Sequence, residues 1–196
     1  VRGLVFAVEM NEEEQAERTA AREGRVDRSH FHRGNGMGAA GWAAYTKGCA
    51  RAAQLPVKFV RHRSATTSQI INIIGLHAAK ALREGEVLGT VMVDQLQDLN
   101  LADEQRREPR GDRATWMFRA VRKLEAAAEK HHVALLLICQ GNAQEGIFAS
   151  PQCIQAMDYQ CFIGRPKDSK PGDTLREFRF KKLRNLGSKG EVSEVY

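Results

Sequence analysis

Three side chains stand where an open parallel sheet does its chemistry. Glu9 follows the apolar run Leu4 to Val8, Asp94 follows Val91-Met92-Val93, and Gln140 follows Val133 to Cys139. The carboxyl ends of buried parallel strands form the ligand crevice of such a sheet, so groups placed there can share one site. A carboxylate at position 94 suits a water-bridged Mg²⁺, and a Glu at position 9 suits the general base for an attacking water. A Gln at position 140 can hydrogen-bond that water or a terminal phosphate. Together these are the core of a nucleoside triphosphatase with one part missing. The phosphate-cradling loop G-x-x-x-x-G-K-[ST] has no match, because the dipeptide Gly-Lys is absent from the chain. The chain opens on Val1 and enters a strand almost at once, as expected of a piece cut just after that loop and its helix.

Other reactive residue types are less well placed. Gly36-Met37-Gly38-Ala39-Ala40-Gly41 fits G-x-G-x-x-G, but the preceding Arg25 to Arg33 is polar and charged rather than a strand, so a dinucleotide site is not expected. His131 and His132 close a helix, where imidazole suits the negative end of the dipole. His30, His32 and His62 lack metal-ligand spacing, and Cys49, Cys139, Cys153 and Cys161 form no C-x-x-C pair, so neither a zinc site nor a disulfide framework is legible.

The elements that must position the three residues follow from periodicity. At 196 residues and 42% hydrophobic, the chain is sized for one domain with a real core, over residues 1–196. Leu4 to Met10 reads as a buried strand, with Asn11 capping a helix that runs to Glu23 and stops at Gly24, and with Glu14 at the capping-box position. A helix around Trp42 to Gln54 leads to a strand at Val57 to Arg61. Thr66 or Thr67 caps a second long helix, whose Ile70, Ile73, Ile74, His77, Ala78, Ala81 and Leu82 share a face. Strand Val87 to Asp94 follows, then a charged loop from Asn100 to Asp112 and a helix from Ala114 to His131 with Met117, Val121, Leu124 and Ala128 inward. After strand Val133 to Cys139 come an irregular stretch from Gly141 to Pro151, a strand at Tyr159 to Gly164, and a hairpin of Leu175 to Leu183 with Glu191 to Tyr196. Alternating strands and helices imply an α/β fold with a mostly parallel sheet and an antiparallel edge. The net charge of +6 permits a polyanionic partner, with nine Lys or Arg between Arg165 and Lys189. No apolar run approaches the roughly 20 residues that span a bilayer, so no membrane partner is expected.

In order, the segments resemble the C-terminal RecA-like motor domain of DnaB-type hexameric replicative DNA helicases. Phe6-Ala7-Val8-Glu9-Met10 is similar to that family's F-S-L-E-M, and Gly24-Arg25-Val26-Asp27 with Gly34 to its R-V-D and R-x-G. Val93-Asp94-Gln95-Leu96-Gln97-Asp98 resembles the Walker B stretch I-D-Y-L-Q-L, and Leu137-Ile138-Cys139-Gln140 the A-L-S-Q strand. Gln155, Asp158 and Phe162-Ile163-Gly164-Arg165 resemble E-Q-D-A-D and F-I-Y-R, while Lys182-Leu183-Arg184-Asn185 with Gly190 and Val192 resembles K-Q-R-N and G-T-V.

The resemblance implies a RecA-like P-loop fold without its first strand and helix, with ATP and Mg²⁺ as cofactors and ATP-driven unwinding of DNA as the activity. Glu9 would activate water, Asp94 would serve Mg²⁺, and Gln140 would sense the γ-phosphate. Lys182 and Arg184 would reach a neighbouring subunit's nucleotide, with Arg165 and Asn185 also on the cofactor. Asn142, Phe148, Ser150 and Gln155 would belong to the DNA-contacting region, although Phe148-Ala149-Ser150-Pro151 replaces the family's R-E-S-G. Implied partners are single-stranded DNA, further copies in a hexameric ring, and a primase or loader, in the cytoplasm of a bacterial or phage-infected cell. Two rivals are a RecA-like recombinase-type ATPase and a non-catalytic subunit of a ring or loader; the Lys-x-Arg-Asn arrangement favours the helicase.

Overall fold

The computed structural model describes residues 1–8, 10–32, 36–141, 151–164 and 176–183. Four strands, β1 (Arg2–Ala7), β2 (Val57–Arg61), β3 (Leu88–Asp94) and β4 (Ala134–Ile138), form a parallel sheet in the order β2-β1-β3-β4. A separate antiparallel pair joins β5 (Tyr159–Gly164) to β6 (Glu177–Leu183). The expected α/β class with a mostly parallel sheet and an antiparallel element is therefore present. Among the described residues β6 pairs with β5, and the expected second half of a terminal hairpin, 191–196, lies outside them.

The helices are α1 (Glu12–Gly24), α2 (Ser29–His32), α3 (Ala39–Ala52), α4 (Thr67–Arg83), α5 (Ala102–Arg107), α6 (Arg113–His131) and α7 (Pro151–Ala156). Alternation along the strands sends Leu4, Phe6, Val8, Val91 and Val93 to one side, where they meet Ile70 and Ile74 of α4 and Met117, Val121 and Leu124 of α6. Each such side chain taken fully from water stabilises the fold by roughly 1.5–3 kcal/mol. This shared core fixes the level at which β1, β3 and β4 end. On α4 the expected inner face is borne out at Ile70, Ile74 and Ala81, but Leu82 is 77% exposed, because the stripe at this helix end has drifted past the sheet.

Local signals account for the helix ends. Asn11 Oδ1 accepts from the Glu14 amide at 2.7 Å, while the Glu14 carboxylate pairs with Arg18 and Arg28. The reciprocal capping box occurs instead at α4, where the Thr66 hydroxyl accepts from Gln69 N and Gln69 Oε1 accepts from Thr66 N. The left-handed residue that ends α1 is Arg25 at φ 53°, not Gly24. Gly24 and Gly48 are needed for packing: an added Cβ would sit 2.7 Å from Ala44 O at the first and 2.1 Å from Ala20 O at the second, so α1 and α3 touch backbone to backbone. The helix ending in His131 and capped by left-handed His132 agrees with expectation.

The charged stretch before α6, expected as a loop, contains α5. Its Glu104 is fully buried and accepts from Lys123 Nζ at 2.5 Å and Thr67 Oγ1 at 3.3 Å, which ties α5 to α6 and α4. A buried carboxylate needs such partners, since an unpaired one costs several kcal/mol.

Candidate functional site

Asp94 is the last residue of β3, in register with Ala7 of β1 and Ile138 of β4. The Val8 amide donates to the Asp94 carbonyl at 2.8 Å, so β1 leaves the sheet bonded to the end of β3. Glu9 is the next residue in sequence and lies outside the described residues. Gln140 stands two residues beyond Ile138, at the same edge, with its side chain exposed. The structure thus brings Asp94 and Gln140 to adjacent strand ends.

The turn after β3 holds that edge together. The Asp94–Gln95 peptide is cis, and the Gln95 side chain turns inward to donate to Asp98 Oδ2 at 3.0 Å. Gln97 Nε2 donates to the Gln140 carbonyl at 3.1 Å, and the Gln97 carbonyl accepts from Arg113 Nη2 at 2.6 Å. The exit of β4 is therefore fastened to the exit of β3, and both to the first residue of α6. Burial pushes the Asp94 carboxyl above its ordinary pKa; the charge of Arg18 on α1 opposes this and that of Asp98 adds to it.

Sequence reasoning missed Arg18, Gln97 and Arg113. The only signal for Arg18 was its i,i+4 spacing from Glu14, whose carboxylate it meets at 3.0 Å. Gln97 lies within the Walker B-like stretch but its role is to donate to the Gln140 carbonyl, and Arg113 donates to the Gln97 carbonyl, contacts that spacing alone does not show. The remaining expected residues are not brought to the site by what is described. Lys182 lies on β6 opposite Gln160 and Gln155 on α7, both with side chains outside the described residues. Asn142, Phe148, Ser150, Arg165, Arg184 and Asn185 lie wholly outside them.

Among the described residues no group of three or more His, Cys, Asp or Glu could hold a metal ion. A protein cage for a resident metal is therefore not part of what is described. A single half-buried carboxylate is what Mg²⁺ uses when it keeps its waters and takes its other ligands from substrate phosphates, so Asp94 fits that role. Gly38 caps the start of α3 and α2 precedes the Gly-rich turn, so no described strand feeds it as a dinucleotide motif requires.

The model of the DnaB-like helicase C terminal domain matches residues 1–145. The chain belongs to that family. Two solved structures share the fold of this DnaB-like domain. One is an ATPase domain, which superposes with a TM-score of 0.82 at 17% identity, covering 98% of this chain and 70% of that one. The other is a DnaB-like replicative helicase, described with its interactions with primase, which superposes with a TM-score of 0.82 at 17% identity, covering 98% of this chain and 48% of that one. No curated protein matches the chain. Among the described residues of this DnaB-like domain, no helix is long and apolar enough to cross a membrane.

Proposed function

We propose that this DnaB-like domain is the ATP-hydrolysing motor of a replicative DNA helicase, working in the cytoplasm as a homo-oligomeric, hexameric ring on single-stranded DNA with a primase or loader as partner. The observation that carries the reading is the fastening of Asp94 and Gln140 at one sheet edge through Gln97. Asp94 would hold Mg²⁺ through water, and the ion would supply charge neutralisation of the phosphates. Glu9 takes the proton of the attacking water, and Gln140 senses the terminal phosphate. Lys182 and Arg184 extend to the nucleotide of a neighbouring subunit, with Arg165 and Asn185 beside it, and Asn142, Phe148, Ser150 and Gln155 contribute to the DNA path.

Triphosphate binding also requires an amide cradle and its Lys, which these residues do not contain. In a protein where a phosphate loop accompanies this domain, Glu9→Gln keeps nucleotide binding and slows hydrolysis by about 10²-fold or more. Asp94→Asn instead weakens Mg²⁺-dependent binding. Turnover and calorimetric affinity measured on both variants test the assignment: a Glu9→Gln protein with altered affinity and normal turnover would remove Glu9 from the chemistry. The missing Gly-Lys dipeptide favours a second reading, a non-catalytic ring or loader subunit. Absence of ATP binding even where a phosphate loop accompanies this domain would support that one.

A further inference from the structure

At the opposite edge of the sheet, where the parallel strands begin, lies a cleft of about 230 Å³ walled by Pro56 and Leu88. Four basic side chains line it: Arg2 of β1, Lys58 of β2, and His77 and Lys80 of α4. Register pairs Arg2 with Leu88 and Gly3 with Val57, which places the cleft a whole strand length from Asp94. The cations are unequally matched. Arg2 is held at 2.5 Å by both Glu84 and Glu86. Lys80 reaches Glu84 only at 3.9 Å, and Lys58 has no carboxylate partner among the described residues. The cleft thus has two carboxylates beside three full cations, and His77 feels the charges of Lys58, Lys80 and Arg2.

The geometry points to an anion site in this cleft, in which Lys58, Lys80 and His77 take a phosphate group, carried either by a small free phosphate or by a nucleic-acid backbone. The volume admits a phosphate, and Lys58 of β2 with His77 and Lys80 of α4 put three nitrogen-bearing side chains in its lining, the kind of donors that phosphate oxygens accept from. His77 also registers the field: burial first, then Lys58, Lys80 and Arg2 hold its pKa below the ordinary value. A bound phosphate would reverse that field, favouring imidazolium, so binding strengthens as pH falls through the His77 titration. The groups facing His77 are Lys58 from β2, Arg2 from β1 with its Glu84 and Glu86 partners, and Lys80 from its own helix.

The test follows the imidazole resonance of His77 by NMR, assigned by its loss in His77→Gln, with inorganic phosphate exchanged for chloride at fixed ionic strength. Phosphate should raise the His77 midpoint. Lys58→Ala should raise it without phosphate, by removing a like charge, and should weaken phosphate binding about tenfold, the scale of one charge-assisted contact. A short oligothymidylate that raises the midpoint at lower concentration than inorganic phosphate identifies a nucleic-acid backbone as the source. A midpoint that answers to phosphate but not to the oligonucleotide identifies a small free phosphate. Equal midpoints in phosphate and chloride, or a phosphate effect undiminished in Lys58→Ala, would overturn the site.

Discussion

The carboxyl of Asp94, at the end of β3, is set against its surroundings. Burial raises its pKa, and the charge of Arg18 opposes that. A carboxyl whose folded pKa is raised adds stability below its unfolded pKa and loses it as pH rises through the folded value. Asp94→Asn should therefore raise the free energy of unfolding in urea at pH 7, by less than about 1 kcal/mol because solvent reaches the half-buried group. The gain should vanish as pH falls through the raised pKa towards the ordinary 3.8. Denaturation curves of both proteins across that range check it. A loss of stability at neutral pH would make Asp94 a structural anchor rather than a group held in place for its charge. Asp94 and Gln140 were legible because each ends an apolar run. Arg18 was not, because its effect depends on α1 folding back over the sheet edge, which is a tertiary relation.

The elements explain why some residue types are where they are. Gly48 lies inside α3, where glycine is unfavourable by about 1 kcal/mol relative to alanine. Its presence follows from the close passage of α1, with Ala20 O and Gly24 N both inside the space a Cβ would occupy. Gly48→Ala should then destabilise the domain by about 1–3 kcal/mol, the cost of overpacking, despite its better helix propensity. Chemical denaturation decides it; a stabilised variant would show that α1 and α3 can separate without loss. Elements with a regular apolar stripe, such as α4 and α6, were readable in advance to within a residue or two. α5 was not, because its six residues Ala102 to Arg107 are nearly all polar and its buried member is Glu104, which looks like a surface residue until Lys123 and Thr67 are brought to it. The pairing of β6 with β5 was equally hidden, since alternation defines a strand but not its partner.

At the scale of the whole molecule, the edge built by Asp94 and Gln140 offers a carboxylate and an amide, while Arg18 on α1 is paired with Glu14 and Arg113 is bonded to the Gln97 carbonyl. Charge that develops on a transferring phosphoryl group calls for an arginine, supplied in the same chain or by a neighbour. The proposed trans role of Arg184 makes a quantitative demand on the ring. In a protein where a phosphate loop accompanies this domain, Arg184→Ala should leave folding, assembly and nucleotide binding intact while lowering ATP hydrolysis by about 10³-fold or more, the scale of an arginine finger. Glu9→Gln rings should be similarly slow for a different reason. Rings assembled from both kinds of subunit then contain interfaces in which an intact Glu9 faces an intact neighbouring Arg184, and those interfaces alone should hydrolyse ATP. Activity measured against mixing ratio should therefore rise from near zero in either parent to a maximum at comparable amounts of the two. If subunit exchange is shown by fluorescence and the mixture stays as inactive as its parents, or if Arg184→Ala turns over normally, the site does not span two subunits and Arg184 belongs to a solvated basic edge.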